Sequence, residues 1–143
     1  MNTQRSYGIV AGALSAFFFA MAGCASMGSG EHSVALSGDQ EVPPVKTSAT
    51  GTATIKVGED KSVSVQVKTS GLAATAAHIH SGAAGANGPV IVPFTKVDDN
   101  TWTSAPGAKF TDPQYELYKA GNTYVNVHSA ANKGGEIRGQ IKP

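Results

Sequence analysis

From residue 33 onward, polar and apolar residues alternate in short runs, and β-branched residues crowd those runs. Alternation with a period of two places successive side chains on opposite faces of an extended chain. The pattern predicts strands over 33–37, 49–57, 62–69, 76–81, 90–94, 101–104, 123–129 and 136–141, most of them bounded by Gly, Pro, Asn or Asp. About eight short strands at this spacing predict an all-β fold, a Greek-key-like β-sandwich or barrel.

Several joints follow from the same reading. Gly58-Glu59-Asp60-Lys61 predicts a hairpin turn, with Ala53, Ile55 and Val57 turned inward against Val63, Val65 and Val67. Pro43 and Pro44 lack an N–H, so Val42-Pro43-Pro44-Val45 predicts an extended connection or a sheet edge, and Pro93 demotes 90–94 to an edge or a short strand. One short helix is expected after Asp112 as its cap, with Pro113 in the first turn, Tyr115, Leu117 and Tyr118 as its apolar side, and Gly121 just past its end.

The first 23 residues follow a different rule. Arg5 precedes an uncharged, apolar run over 7–23, the pattern of a secretory signal and short of a spanning helix. The run ends in Met21-Ala22-Gly23-Cys24, which resembles the lipobox of bacterial lipoproteins, with Met in place of the usual first Leu. That resemblance implies cleavage before Cys24 and lipidation of its thiol, the single cysteine of the chain. Ala25, not Asp, follows, so in a double-membraned bacterium the lipid would hold the protein in the outer membrane, facing the periplasm. The expected organisation is a signal peptide over 1–23, a small-residue tether over 24–31 and one domain over 32–143.

Of 143 residues, 143 − 23 = 120 remain after the leader, enough for a single core. Losing Arg5 leaves 11 − 1 = 10 basic side chains against 10 acidic ones. This balance speaks against a nucleic-acid partner, which calls for a basic face. The expected partners are a metal ion, the membrane through the lipid, and an envelope protein.

Chemistry concentrates in Ala77-His78-Ile79-His80 and Tyr124-Val125-Asn126-Val127-His128. The apolar residues of each segment set its inward face, so His78, His80 and His128 point away from the core, together with Glu136 and Arg138 of the last strand. If the two histidine strands are neighbours, three imidazoles converge on one solvent-open site. Neutral imidazoles without thiolates suit copper, as Cu(II) or Cu(I), or zinc with an open position. Asn126, Glu136 and Arg138 are candidates for supporting this site, Asn126 by orienting an imidazole. Glu136 and Arg138 also read simply as an exposed i, i+2 pair, Arg138 drawing anions to the metal or bonding a loop carbonyl. His32, at the start of the domain, reads as a solvated histidine with an axial ligand as its other role. The glycine-rich run 82–89 lacks the Lys-Ser/Thr and helix of a phosphate loop and reads as a structural turn, as does Lys133-Gly134-Gly135 between the last two strands. Ser81 and Ser129 face away from the histidines they follow and no Gly-x-Ser-x-Gly elbow is present, which speaks against a serine hydrolase.

These segments, with Ala35-Leu36-Ser37-Gly38, Glu41-Val42-Pro43-Pro44-Val45 and Gly134-Gly135-Glu136-Ile137-Arg138-Gly139-Gln140-Ile141, resemble the motifs of the CHRD domain, in order and at the usual spacing. The resemblance implies a β-sandwich. A more distant similarity to Cu,Zn superoxide dismutases matches His78, His80 and His128 to three copper ligands and Arg138 to an anion-steering arginine. The chain has no counterpart of the bridging histidine, the zinc loop or the disulfide. The expectation is therefore an envelope-anchored copper-binding protein for capture, buffering or delivery, more carrier than enzyme. A metal-free interaction or adhesion module stands second and a dismutase-like oxidoreductase third.

Overall fold

A computed structural model of the chain describes residues 30–143. The predicted leader, Cys24 and most of the predicted tether lie outside the described residues. Eight strands run β1 Glu31–Ser37, β2 Thr50–Val57, β3 Val63–Ser70, β4 Ala74–Ser81, β5 Val90–Asp98, β6 Thr101–Ser104, β7 Thr123–Ser129 and β8 Ile137–Ile141. They close into an antiparallel barrel in the order β1-β2-β3-β6-β5-β4-β7-β8, so β4 to β6 are inserted in reverse between β3 and β7. The all-β expectation holds, and each of the eight anticipated runs is a strand.

Alternation sets which side of the wall each residue occupies. Along β3 every second residue, Val63, Val65, Val67 and Thr69, is buried. The β2–β3 hairpin has the anticipated register, Ala53 opposite Val67, Ile55 opposite Val65 and Val57 opposite Val63. Leu36, Ile79, Val125, Val127, Ile137 and Ile141 complete the interior from the other half of the barrel. Burying one such aliphatic side chain is worth about 1.5–3 kcal/mol.

Two local expectations are corrected. Strand β5 is neither short nor at an edge. It pairs with β4 up to Pro93, opposite His78, and with β6 from Phe94 onward. Pro93 stands where one ladder hands over to the next, the place in a closed wall where a missing N–H does least damage. The helix, α1 Asp112–Lys119, is capped by Thr111 rather than Asp112. The Thr111 hydroxyl accepts from the Gln114 N–H while the Gln114 side chain accepts from the Thr111 N–H, a reciprocal capping box. Tyr118 is the buried residue of the anticipated apolar side, packed on Phe110, whereas Leu117 faces solvent. Gly121 ends the helix with φ +73°, as expected of the residue past the cap.

The stretch 82–89 between β4 and β5 and the stretch 38–49 between β1 and β2 meet outside the wall. The Asn87 side chain donates to the Val42 carbonyl at 2.7 Å. Together they cover β7 and β8, and that cover decides the character of the site.

Candidate metal site

Strands β4 and β7 are direct neighbours in the barrel, which is what brings the histidines together. In the antiparallel register Ala76 lies opposite His128, His78 opposite Asn126, and His80 opposite Tyr124. All six side chains stand on the outer face, because Ala77, Ile79, Val125 and Val127 fill the interior. The small Ala76 leaves room for His128 to lean along the row toward His78. The result is a triad of rings with centroids 5.0 Å apart for His78 and His128, 5.5 Å for His78 and His80, and 5.8 Å for His80 and His128.

The hydrogen-bond network assigns the tautomers. His80 Nδ1–H donates to the Gly88 carbonyl at 2.9 Å, and His128 Nδ1–H donates to the Lys133 carbonyl at 2.9 Å. Each ring therefore turns an Nε2 lone pair toward the triad. His78 Nδ1 lies 3.1 Å from His128 Nε2. As the latter has only its lone pair, His78 Nδ1–H is the donor in the metal-free protein, and moving that proton to Nε2 releases a third lone pair. The Nε2 of His80 is buried and has no partner among the described residues. A buried polar atom without a partner is costly, and a ligand at this position would relieve the cost.

One ligand nitrogen from each ring lies within 4.8 Å of the other two. At a metal–nitrogen distance of about 2.0 Å, the 3.1 Å pair subtends roughly 100° at an ion, close to tetrahedral. Three nitrogens around one tetrahedral ion stand about 3.3 Å apart, so side-chain movements of up to about 1.5 Å join the whole set. The electrostatics favour neutral rings. Burial, reinforced by His128 and His80, pushes His78 down to about 4. Burial also lowers His80, with the Gly88 carbonyl opposing and His128 and Arg138 assisting, and lowers His128 against the pull of the Lys133 carbonyl. Three neutral imidazoles at neutral pH are a ligand set that need not lose protons to solvent before binding a metal.

The surroundings differ from the open face anticipated from alternation. His80 is only 9% exposed, and His78 and His128 are half-buried. Glu136 and Arg138 are not an exposed pair. Arg138 is 1% exposed, its guanidinium carbon 3.5 Å from the centroid of the Tyr124 ring. It donates to the Ala83 carbonyl, Asn87 Oδ1 and Gln140 Oε1. Of the two roles anticipated for Arg138, bonding a loop carbonyl is the one its contacts display. Buried Glu136 accepts from the Thr47 hydroxyl at 2.7 Å, and hydrogen bonds from Ser129, Thr47 and Asn132 hold its carboxyl below the ordinary range. Asn126 makes no hydrogen bond to an imidazole. Its Nδ2 donates to Glu41 Oε1 at 2.6 Å, pinning the covering stretch onto the wall between His128 and Arg138. His32 is separate from the triad, its ring stacked on Tyr118 near the helix.

Several contributors escaped the sequence reading. Tyr124 stacks on His80 at 5.0 Å with an interplanar angle of 11°, and its hydroxyl accepts from the Gly88 N–H. The carbonyls of Gly88 and Lys133 orient two imidazoles, the role that outer partners play around metal-binding histidines. A carbonyl has no signature in a sequence. The one available signal was glycine, since a Cβ on Gly88 would run into the Ser81 carbonyl.

An antiparallel β-barrel with a covered histidine triad on its outer wall is thus the class that fold and site define. The family profile of the CHRD domain matches residues 32–141, and the chain belongs to that family. No curated protein and no solved structure matches it.

Proposed function

We propose that the protein binds one copper ion through His78 Nδ1, His80 Nε2 and His128 Nε2, and that it serves capture, buffering or delivery of the metal. One observation carries this reading. Two of the rings are locked by carbonyls so that their lone pairs face the third ring, and one of those lone pairs is buried without a partner. Imidazole ligands with no thiolate favour Cu(II) among divalent ions by the Irving–Williams order, and a three-nitrogen set also suits Cu(I). Zinc fits the same geometry with water as a fourth ligand. The proposal includes export and attachment to the envelope through lipid on Cys24, supported by the leader pattern and the isolated cysteine.

Titration of the metal-stripped protein with Cu(II), followed by elemental analysis and paramagnetic resonance, tests the site. About one equivalent with nitrogen hyperfine structure is expected, lost in the His78→Ala/His80→Ala double variant. Unchanged copper binding in that variant overturns the site. Mass spectrometry of the N-terminal peptide from membranes tests the anchor, and an unacylated Cys24 overturns it.

A further inference from the structure

The covering stretches enclose a second feature that owes nothing to the histidines. Between 38–44 and 82–85, over β8, lies a cavity of about 400 Å³, within the size range of small-molecule sites. Its walls are apolar where Val42, Pro44 and Ala84 contribute, and Asp39, Glu41 and Arg138 bring charge to it. Two glutamines, Gln40 and Gln140, also reach it, but their amides are occupied. Gln140 donates to the Gly82 and Gly121 carbonyls and accepts from Arg138, while Gln40 donates to the Ala35 carbonyl and the Ser37 hydroxyl and accepts from the Gln140 N–H.

The groups left to meet a ligand are therefore the charged ones. Arg138 is 1% exposed and Glu41 5% exposed, yet among the described residues no carboxylate forms an ion pair with Arg138. Its Nη atoms are engaged, and its Nε–H has no acceptor among the described residues. Glu41 uses Oε1 for Asn126, and Oε2 has no donor there. Asp39, exposed at the rim, makes no hydrogen bond through its side chain among the described residues. A buried cation and a buried carboxyl that line one cavity attract each other through space without sharing a hydrogen bond, so a ligand placed between them can pair with both. The ligand that completes both at once carries an anionic and a cationic group on a small apolar body.

We propose that this cavity binds a free α-amino acid with a small apolar side chain, its carboxylate on Arg138, its ammonium between Glu41 and Asp39, and its side chain against Val42, Pro44 and Ala84. The site is independent of copper. Glu41 and Arg138 do adjoin Asn126 and Tyr124, which flank the histidines, so occupancy would stiffen the cover over the triad.

The test is a nuclear magnetic resonance titration of the full chain in detergent, stripped of metal so that chelation by the probe plays no part. The probes are L-valine and its two halves, 3-methylbutanoate without the ammonium and 2-methylpropylamine without the carboxylate. Saturable shifts at Ala84, Gly85 and Gln140 are expected with L-valine, and each half should bind about tenfold more weakly or worse, as loss of a charge-assisted contact requires. Glu41→Gln keeps an acceptor for Asn126 and should weaken valine about tenfold, while Ala84→Trp fills the cavity from a loop and should abolish binding. No saturation by about 20 mM valine, either half binding as well as valine, or unchanged binding in Ala84→Trp overturns the proposal. Copper stoichiometry plays no part in any of these outcomes.

Discussion

The guanidinium of Arg138 and the imidazole of His80 lie on opposite faces of the Tyr124 ring. Strands β4 and β8 flank β7 on its two sides, so a residue from each meets the tyrosine from its own side. The guanidinium carbon sits 3.5 Å from the ring centroid and the imidazole stacks 5.0 Å away, nearly parallel. The aromatic ring thus does two things at once. It keeps a buried cation out of contact with the metal ligands, and it fixes the plane of one ligand.

Replacing Tyr124 separates these effects. Tyr124→Phe keeps both stacks and removes only the acceptor for the Gly88 N–H, so a loss of about 1 kcal/mol in denaturant unfolding is expected. Tyr124→Leu also loses the desolvated cation–π contact and leaves a gap beside Arg138, so about 3–4 kcal/mol is expected. Copper affinity in the surviving Leu variant should fall about 10–100-fold, the usual effect of losing an orienting partner. Equal stability of the Phe and Leu variants would show that the stack contributes nothing.

Gly135 is the residue that lets the cover seat on the wall. Its φ of +130° is open to glycine and costly for other residues, and a Cβ there would lie 2.6 Å from Asn126 Nδ2 and 2.7 Å from Glu41 Oε1. Gly135→Ala is expected to cost about 3 kcal/mol from backbone strain and displacement of that buried pair. Faster amide hydrogen exchange in 38–47 should accompany the loss, and its absence would place the strain elsewhere.

Most of the barrel was legible in the sequence because one face of each strand is buried, and burial of one face fixes both period and register. Val63, Val65 and Val67 could face nothing but Ala53, Ile55 and Val57 once the turn over 58–61 was recognised. The spacing of His78, His80 and His128 was legible for the same reason, since inward valines and isoleucines force the rings outward together. What alternation does not contain is the fate of the outward face. It marks Arg138 and Glu136 as outside the barrel, and they are outside, but it says nothing of the stretch over 38–49 that folds back across them. Glu41 and Asn126 meet through a long-range contact that no local pattern encodes. Pro93 misled because a proline weakens a strand only where a ladder needs its N–H, and that need depends on neighbours distant in sequence.

Glu41 offers a pH test of the cover. Burial raises its carboxyl above the ordinary 4.5, with the Asn126 hydrogen bond and the charge of Arg138 opposing. A raised folded-state value means the stabilising contribution is complete below the unfolded value and is lost as the pH rises through the folded one. Glu41→Gln removes the penalty of ionisation while preserving the acceptor for Asn126. The variant is therefore expected to be at least as stable as the parent at pH 7 and to lack the parent's decline above pH 4.5. A variant less stable at pH 7 and equal at pH 4 would mean that the ionised carboxylate stabilises the fold.

The histidines should act in the opposite direction. Their folded-state values lie below the ordinary 6.5, His78 at about 4 through burial and the neighbouring His128 and His80. A depressed value gives stability that is complete above 6.5 and disappears as the pH falls toward the folded value, because the unfolded chain takes up protons that the triad refuses. The metal-free protein is expected to lose on the order of 2 kcal/mol between pH 6.5 and 4 from His78 alone, partial exposure of the ring screening the larger figure that the shift implies. His78→Gln should flatten that part of the profile. Copper competes with few protons at such rings and itself holds back their protonation, so the loaded form should keep its metal to a lower pH than the one at which metal-free His78 protonates, about 4. Unfolding curves of both forms from pH 4 to 8, with released copper measured at each step, check the sign and the window. A metal-free profile that stays flat from pH 6.5 to 4 would show imidazoles with ordinary basicity, and a triad as open to water as isolated surface histidines.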